Sequence, residues 1–461
     1  MNDFTIVLRS LRVRLFSTLT TILSVAIAVA LIIVLLTLRN SGKASFERGA
    51  GDVHLLVSRD PSATVSVLNN IFYANAPQQF LTWDRVEKLQ TEAPWQYCVP
   101  TALGDTFRAY PVVGTTPEFL TSFKPADKQP WRFTAGEAFK GNFEVVIGAT
   151  VAQRGRLNIG DTIFLTHGGS KGVQGQVMQG DVERAGSHDD HGHDDHDHDH
   201  AHDHDDEEGS APHIHREFGY KVVGILAPTL TSHDRALFVN LESTWIMHAH
   251  DRRLREAKNP EELKTTAADV IPEDRKVTGV LLRLVSRTED ALPANFPQVY
   301  DQLRRDTTIT VANPEKEITT LFTIVDQVNR VFLAIAIVVL VSSGVSIMLA
   351  LYNSMAQRRR QIAVLRVLGA SQGRIFNLTL AECAMIGLAG AISGILLAYL
   401  GAALASDVLR ARFGLIIQPN VEPMTMLMLA AATVVLACIA GLVPAIMAYR
   451  TSVASNLKPV A

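Results

Sequence analysis

The sequence has few cysteines and lacks the local motifs of the commonest nucleotide- and zinc-dependent sites. Only Cys98, Cys383 and Cys438 are present, without a Cys-x-x-Cys pair, which excludes a disulfide framework and a zinc site of that type. No G-x-x-x-x-G-K-[ST] loop and no H-E-x-x-H motif occurs. We therefore predict a non-catalytic chain that has no catalytic residue and no catalytic cofactor. Any ATP-driven role would need a separate ATPase.

Charge is almost absent from four long apolar stretches. Three of them, 15–38, 331–352 and 424–448, contain no charged residue, and 378–404 contains only Glu382. Each is long enough to cross the hydrocarbon core of a bilayer as a helix. A cleaved signal peptide at the N-terminus is disfavoured, because the first apolar run is too long and no small-x-small cleavage site follows it.

The predicted fold class is an α-helical membrane protein with four transmembrane helices and a large α+β extracytoplasmic (periplasmic) domain between helices 1 and 2. The first 14 residues place apolar side chains at helical spacing among arginines, which predicts an amphipathic elbow helix on the membrane surface. In chain order we expect an elbow helix 1–14, a first span 15–38, a periplasmic domain 39–313, a stalk helix 314–330, a second span 331–352, a cytoplasmic loop 353–377, a third span 378–404, a short periplasmic loop 405–423, a fourth span 424–448 and a cytoplasmic tail 449–461.

The distribution of basic residues predicts the orientation in the membrane. Lys and Arg cluster before the first span, between the second and third spans, and after the fourth. Both termini are therefore expected in the cytoplasm and the large domain outside, in an inner membrane facing a periplasm. The formal net charge is −3, and removing the eleven carboxylates of 188–208 leaves +8 elsewhere, mostly beside the apolar stretches. This placement favours contact with membrane lipid and no binding of nucleic acid.

The large segment between the first two spans shows alternating strand and helix patterns. Phe143–Leu165 reads as strand, helix, Gly-Asp turn and strand, and Arg216–Ser243 reads as two strands around a loop. Val277–Val285 is predicted as a strand and Phe296–Arg305 as a helix. Asn313 and Pro314 form a helix start. In the third span, Gly387, Gly390, Gly394 and Gly401 form a small-residue stripe that favours close helix packing.

The loop between the second and third spans carries a basic amphipathic sequence, QRRRQIAVLRVLGASQGR, at 357–374. A basic loop that only sets topology would explain its five arginines, but not an amphipathic helix that ends in Leu-Gly-Ala. Gly369 offers a C-cap for that helix, and Ser371 can start the next one. The pattern R-R-x-I-A-x-L-R-x-L-G-A resembles the cytoplasmic loop of FtsX/MacB-type ABC transporter permeases. That family usually has an acidic residue where this chain has Gln361.

The resemblance implies several features of function. A short coupling helix in this loop would dock on the ATPase through Arg358, Arg359, Gln361, Ile362, Leu365, Arg366, Leu368 and Gly369. The expected partners are a cytoplasmic ABC ATPase, a second permease subunit in a homo- or heterodimer, and a periplasmic metal-binding protein or lipoprotein. The alternatives are lipoprotein release, efflux of a drug or peptide, a regulator of a periplasmic hydrolase, and a passive metal-sequestering protein.

The segment Ser187–His215 is rich in histidine and acid. Between His188 and Glu208, eight residues are histidine and eleven are acidic. Neutral imidazole binds Zn²⁺, Cu²⁺ and Ni²⁺, and the carboxylates add attraction and hydrogen-bond acceptors. We predict an insertion that is disordered without metal and that binds zinc or another divalent transition metal; a solvated insertion without a role is the alternative. The candidate ligands are His188, His191, His193, His196, His198, His200, His202, His204, His213 and His215. With the family resemblance, which extends to permeases of zinc-responsive systems, this predicts a role in zinc uptake or handling.

Two other features have simpler interpretations. His248-Ala-His250 resembles the H-x-H of metal-dependent hydrolases, but no eight-fold strand–helix repeat accompanies it, so surface or interdomain histidines are expected. Glu382 begins the third span, where a charge is costly without a partner. We expect it to pair with a nearby arginine such as Arg374, or to take part in a contact between two permease subunits.

Overall fold

The computed structural model describes residues 3–126, 128–167, 181–185, 213–256, 263–288, 292–367, 369–413 and 422–450. It divides into two compact units. The helical unit comprises Met1–Lys43, Phe322–Arg412 and Ile416–Ala461. The sheet unit comprises Ala44–Leu321 and Phe413–Leu415. The histidine-rich stretch 188–204 lies outside the described residues.

Eleven α-helices are found in the part of the chain that the structure describes. They are α1 Asp3–Val13, α2 Leu15–Gly49, α3 Ala63–Asn70, α4 Trp83–Glu92, α5 Glu118–Thr121, α6 Ala149–Gly155, α7 Leu241–Glu256, α8 Phe296–Arg304, α9 Pro314–Val367, α10 Gln372–Phe413 and α11 Pro423–Tyr449. Four of them, α2, α9, α10 and α11, are long and apolar enough to cross a membrane. The predicted fold class is confirmed: four long apolar helices, with a large mixed α/β domain between the first and the second.

The helical unit is packed through small residues on α10. A Cβ added at Gly390 would lie 2.6 Å from Val25 Cγ1, and one at Gly394 would lie 2.7 Å from Val29 Cβ, so α2 approaches α10 too closely for any side chain there. A Cβ added at Gly387 would likewise lie too close to α11. The predicted stripe is therefore confirmed at three positions. It is wrong at Gly401, where an added Cβ would meet nothing within 4 Å.

The sheet unit contains thirteen described strands. They are β1 Leu55–Ser58, β2 Leu81–Thr82, β3 Trp95–Phe107, β4 Tyr110–Thr115, β5 Phe133–Gly136, β6 Glu144–Ile147, β7 Thr162–His167, β8 Val182–Glu183, β9 His213–Leu226, β10 Leu237–Asn240, β11 Lys276–Val277, β12 Gly279–Leu284 and β13 Thr310–Ala312. The main sheet has the order β13-β1-β12-β3-β4-β10-β6-β9-β7-β8, with β5 beside β9. An additional pairing of β3 with β7 closes six strands, β3-β4-β10-β6-β9-β7, into a ring.

Two hydrophobic cores flank the long strand β3. The core of the ring takes buried side chains from all six of its strands, among them Phe107, Val112, Val145, Leu165, Tyr220 and Leu237. The second core lies where β1, β12 and β13 meet helices α4 and α8, and it includes Leu55, Val86, Leu282 and Val299. Because strand residues alternate between faces, one long strand supplies side chains to both cores.

Local patterns in this unit were predicted correctly. Phe143–Leu165 folds as β6, α6, a turn at Gly160-Asp161 and β7, and Arg216–Ser243 contains β9 and β10 around a loop. Gly160 has a φ of +94°, which glycine adopts without the steric cost that a side chain would impose. The predicted strand at Val277–Val285 is interrupted at Thr278, where β11 ends before β12 begins. The predicted helix Phe296–Arg305 is α8.

The region predicted as a loop, 353–377, is mostly helical. Helix α9 continues through the second span without a break to Val367, and α10 begins at Gln372. No proline occurs in α9 after Pro314, and no glycine occurs between Gly344 and Gly369, so nothing interrupts the hydrogen-bond ladder at the expected membrane surface. The predicted short coupling helix is therefore the end of a helix of 54 residues. Likewise, α10 extends to Phe413, into the stretch predicted as the loop 405–423.

Candidate functional site

The predicted coupling segment ends in a sharp turn between α9 and α10. Gly369 has a φ of +98°, the left-handed conformation of a helix C-cap. Ser371 then caps α10, since its Oγ accepts a hydrogen bond from the backbone N of Arg374 at 3.2 Å. Both caps were predicted from sequence. Arg366 is half-buried here, whereas the side chains of Arg358, Arg359, Gln361, Ile362 and Leu365, and all of Leu368, lie outside the described structure.

The same turn contains the letters G-x-S-x-G, at Gly369–Gly373. In a serine hydrolase this motif joins a strand to a helix, so that the serine is strained and exposed above a sheet. Here it joins two helices, and the Ser371 hydroxyl is engaged in capping. The match therefore carries no catalytic role.

The other end of α9 is held within the sheet unit. Asn313 Oδ1 accepts a hydrogen bond from the backbone N of Lys316 at 3.1 Å, which confirms the predicted helix start. One turn later, Glu317 Oε2 accepts a hydrogen bond of 2.7 Å from the Thr64 hydroxyl on α3, and Ile318 is buried. Helix α9 thus begins as a fixed part of the sheet unit and ends at the basic motif.

The C-terminal end of α2 is bound by a buried histidine. The Nε2 atom of His233 lies 3.2 Å from the carbonyl oxygen of Gly49, the last residue of α2. Because a carbonyl can only accept, Nε2 carries the proton, and the Tyr73 hydroxyl donates to Nδ1 at 2.8 Å. This contact satisfies a carbonyl that the end of a helix would otherwise leave without a partner.

Aromatic rings surround this histidine. His233 is 1% exposed, and its ring centroid lies 5.6 Å from that of Trp131 and 5.7 Å from that of Phe123. Burial lowers the pKa of His233 to about 4, since the imidazolium would lose its hydration, although the Gly49 carbonyl opposes the shift. No sequence motif marks this cluster, because its members come from distant parts of the chain.

A buried ion pair fixes the next residues of the chain. Asp52 Oδ2 lies 3.3 Å from Arg283 Nη1, and both side chains are almost fully buried. Asp52 Oδ1 accepts hydrogen bonds from the Tyr97 hydroxyl at 2.8 Å and from the backbone N of Lys124 at 3.0 Å. Removing one partner of such a pair leaves a buried charge uncompensated. The segment that follows α2 is therefore anchored to β3 and β12.

The predicted metal ligands lie mostly outside the described residues. This applies to His188, His191, His193, His196, His198, His200, His202 and His204. His213 and His215 open β9, where His213 pairs with His167 of β7, and their backbones alone are described. Across the described residues, no group of three His, Cys, Asp or Glu side chains is placed to hold a metal ion.

One smaller prediction is revised. His250 is buried rather than at a surface: its Nδ1 lies 3.0 Å from Thr265 Oγ1, and its ring meets Phe218 edge-on at 5.1 Å. It belongs to the face of α7 that packs on the sheet. His248, half-buried, lies 3.4 Å from the Asp274 carbonyl.

Glu382 is buried, at 5% exposure, in the first part of α10, and its predicted pairing with Arg374 stays a prediction.

Comparison with known proteins identifies the family. Residues 333–453 match the FtsX-like permease C-terminal family, and residues 18–274 match the MacB-like periplasmic core domain. The solved extracellular domain of the noncanonic ABC-type transporter YknZ from Gram-positive bacteria covers 56% of this chain and 98% of its own, at 10% identity and a TM-score of 0.26. The comparison with curated proteins gives no match. Since the second family match spans more than half of the sequence, this chain belongs to the FtsX-like ABC transporter permeases that carry a MacB-like periplasmic core domain, and it is a multi-pass membrane subunit of such a transporter.

Proposed function

We propose that this permease subunit serves the uptake or handling of zinc or a similar divalent transition metal. The observation that carries the proposal is the composition of 188–208, with eight histidines and eleven carboxylates in 21 residues. In the sequence, the insertion lies between β8 and β9, two strands of the sheet unit. In the proposed orientation that unit is periplasmic, while both termini and the α9–α10 turn are cytoplasmic.

The proposed driving force comes from a separate cytoplasmic ATPase that acts on two permease subunits. It would contact the end of α9 and the turn after it through Arg358, Arg359, Gln361, Ile362, Leu365, Arg366, Leu368 and Gly369. Helix α9 is continuous over 54 residues, about 80 Å at a rise of 1.5 Å per residue, and its first turns are part of the sheet unit. A movement imposed at one end of an unbroken helix is therefore transmitted along its length. ATP hydrolysis would in this way move the periplasmic unit.

The proposed metal binding depends on the high density of histidines in this stretch rather than on one fixed site. If the backbone were extended, alternate histidines at 196, 198, 200, 202 and 204 would fall on one side of it. Several pairs or triads of imidazoles can then bind one ion, and the carboxylates raise its local concentration. Such a segment suits capture and release of zinc better than permanent storage.

Growth under metal limitation tests the proposal. Cells in which 187–208 is deleted from the full-length chain should grow normally in rich medium and poorly when a chelator limits zinc. The matched control replaces the eight histidines of 188–208 by asparagine and keeps every carboxylate, so that length and charge are unchanged. If the control grows like wild type in chelator, imidazole is not the active group. Unchanged growth of both variants, with both proteins present in the membrane, would contradict the zinc assignment and favour lipoprotein release or efflux.

A further inference from the structure

The N-terminal helix α1 is linked to the last turns of α9 by the residue that follows it. Arg14 lies at the junction between α1 and α2, and its Nη2 atom donates a hydrogen bond of 3.4 Å to the backbone carbonyl oxygen of Ser354 on α9. Ser354 is buried and Arg14 is half-buried, so the contact is partly shielded from water. The first helix of the chain is thus attached to the end of α9.

The corner between α1 and α2 is fixed by its own contacts. The carbonyl oxygen of Leu11 accepts hydrogen bonds from the backbone N of Arg14 at 3.2 Å and from the Thr18 hydroxyl at 3.4 Å. The Leu11 side chain packs against the core of the helical unit to which Ile347 and Leu351 of α9 belong. Because these contacts place Arg14, its guanidinium loses little further freedom when it binds α9.

The acceptor of this hydrogen bond lies one turn before the coupling residues predicted from the sequence. In an α-helix, the carbonyl oxygen of residue i accepts from the amide of residue i+4, so the Ser354 carbonyl also serves Arg358, the first of those residues. A carbonyl oxygen has two lone pairs and can accept both hydrogen bonds. Arg14 therefore contacts the peptide group from which the coupling part of α9 begins.

An apolar contact fixes α9 at the neighbouring residue. Met355 of α9, Ile375 of α10 and Ala448 of α11 form a small buried cluster. Beyond Met355, α9 continues for twelve residues to Val367, about 18 Å at a rise of 1.5 Å per residue. A tilt of about 10° at this level would move the end of the helix by about 3 Å. The contacts of Ser354 and Met355 therefore set where the coupling residues lie.

We propose that Arg14 is a positioning residue for ATPase coupling, which holds the end of α9 through the Ser354 carbonyl in the direction that the ATPase contacts. The inference rests on the proposed function, because it takes the predicted coupling residues as the docking segment. The role does not require Arg14 to touch the ATPase. A guanidinium suits it, because its N–H groups lie in one rigid plane and a charged donor forms a stronger hydrogen bond than a neutral one.

Arg12 separates this positioning role from the setting of topology. Arg12 and Arg14 both lie just before the first span, so each contributes one charge to the basic excess that orients the chain. Arg12 is exposed, whereas Arg14 is half-buried and bound to α9. A defect found on replacing Arg14 and not on replacing Arg12 is therefore a loss of the contact rather than a loss of charge.

Distances in the full-length chain test the position of α9 directly. In a chain whose three cysteines are replaced by serine, spin labels at the exposed positions Arg9 and Val367 should give a narrow distance distribution in detergent. Arg14→Gln should broaden the distribution, because the shorter, neutral side chain does not reach Ser354. Arg14→Lys, which keeps a charged donor of similar length, should restore most of the narrow distribution. Arg12→Gln is the matched control and should give the distribution of the parent.

ATP hydrolysis tests the consequence for coupling, in the complex with the ATPase purified through a tag on this chain. Loss of one hydrogen bond of ordinary net strength shifts the equilibrium away from the held position by about five-fold, so Arg14→Gln should lower the stimulated rate about two- to five-fold. The KM for ATP should not change, since the nucleotide site lies on the other chain. Ser354→Ala should keep the full rate, because it retains the backbone carbonyl and removes a hydroxyl that has no hydrogen-bond partner among the described residues.

The outcomes separate this inference from the proposed function. Equal distance distributions in the parent and Arg14→Gln, an unchanged stimulated rate, or an equal fall in rate for Arg12→Gln would each overturn the positioning role. Thermal unfolding of Arg14→Gln at the temperature of the parent would show that the defect is not a loss of fold. If Leu365 and Leu368 replaced together by Asp keep full stimulation while Arg14→Gln still broadens the distances, the docking assignment fails and the contact of Arg14 with α9 stands. The zinc assignment is independent of all these results.

Discussion

Arg39 of α2 and Asp326 of α9 form a two-point ion pair, with Nε 2.7 Å from Oδ1 and Nη2 3.0 Å from Oδ2. Just beyond it, Gly42 faces the ring of Phe322, with 3.7 Å between the position of an added Cβ and the ring. The guanidinium–carboxylate pair constrains direction as well as distance, because both hydrogen bonds lie in one plane. Helices α2 and α9 are thus joined at the ends of their apolar stretches, where each continues into the sheet unit.

The first prediction concerns this ion pair. Arg39→Asp should separate the two helices locally, because two carboxylates would face each other. Spin labels at Asn40 and Thr323 should then give a broader distance distribution. The double variant Arg39→Asp with Asp326→Arg should restore the narrow distance distribution, since the ion pair forms again with its two charges exchanged. Stability should change little in either variant, because the pair is partly exposed. Equal distributions in all three chains would show that the pair does not hold the helices together.

The second prediction concerns acid sensitivity of the sheet unit. The pKa of His233 is about 4 in the folded chain and about 6.5 when unfolded. Between these values the unfolded chain binds a proton that the folded chain does not, so stability should fall as pH drops from about 6.5 to about 4. The full effect of His233 is on the order of 3 kcal/mol. Burial and the charge of Arg283 also lower the pKa of His54 to about 4, which adds to the slope.

Tryptophan emission measures this effect in the full chain. All four tryptophans, at 83, 95, 131 and 245, belong to the sheet unit. His233→Gln should reduce the loss of stability between pH 7 and pH 5, because glutamine does not titrate. His248→Gln should leave the loss of stability as in the parent, since His233 is intact. A pH dependence unchanged by His233→Gln would contradict the assignment.

The third prediction concerns the packing of α10. In Gly394→Ala, the new methyl would lie 2.7 Å from Val29 Cβ and 2.8 Å from the Ala26 carbonyl oxygen, so α2 and α10 must separate. Overpacking of this kind costs about 1–3 kcal/mol. Gly401→Ala is the matched control, because nothing lies within 4 Å and alanine favours a helix. Thermal denaturation in detergent should show a lower midpoint for the first variant alone. An equal midpoint for both would mean that the helices adjust without cost.

The fourth prediction concerns coupling to the ATPase. Replacing Leu365 and Leu368 together by Asp should abolish the stimulation of ATP hydrolysis, because charge in an apolar docking contact is strongly unfavourable. The matched control is Val367→Asp, whose parent side chain is 63% exposed and is not among the predicted coupling residues. It should retain stimulation. Full stimulation in the double variant, with normal insertion in the membrane, would exclude this segment as the docking site.

The fifth prediction concerns orientation. In a chain whose three cysteines are replaced by serine, a cysteine at the exposed position Gln90 should react with a membrane-impermeant maleimide in intact cells. A cysteine at the exposed position Ser371 should react only after the membrane is permeabilised. This follows from the excess of arginine beside the α9–α10 turn. The reverse pattern of labelling would place the sheet unit in the cytoplasm and contradict the proposed coupling.

Features that depend on neighbouring residues could be predicted from the sequence alone. The four apolar helices follow from long stretches without charge, because hydropathy adds up locally. Asn313 and Pro314 at the start of α9, and Gly369 and Ser371 at its end, act through their own backbone geometry and hydrogen bonds. For the same reason, the strand–helix–turn–strand pattern after Phe143 could be predicted from the sequence. The arginine motif of the coupling segment was likewise found without any structure.

Features that join distant parts of the chain could not be predicted without the folded structure. Gly394 and Gly401 look alike in sequence, and they differ because α2 passes over one of them and not the other. His233 is an ordinary loop histidine until Tyr73, Phe123 and Trp131 surround it. Strand pairing and burial are set by the balance of the whole folded chain, so these sites emerge only when the sheet closes.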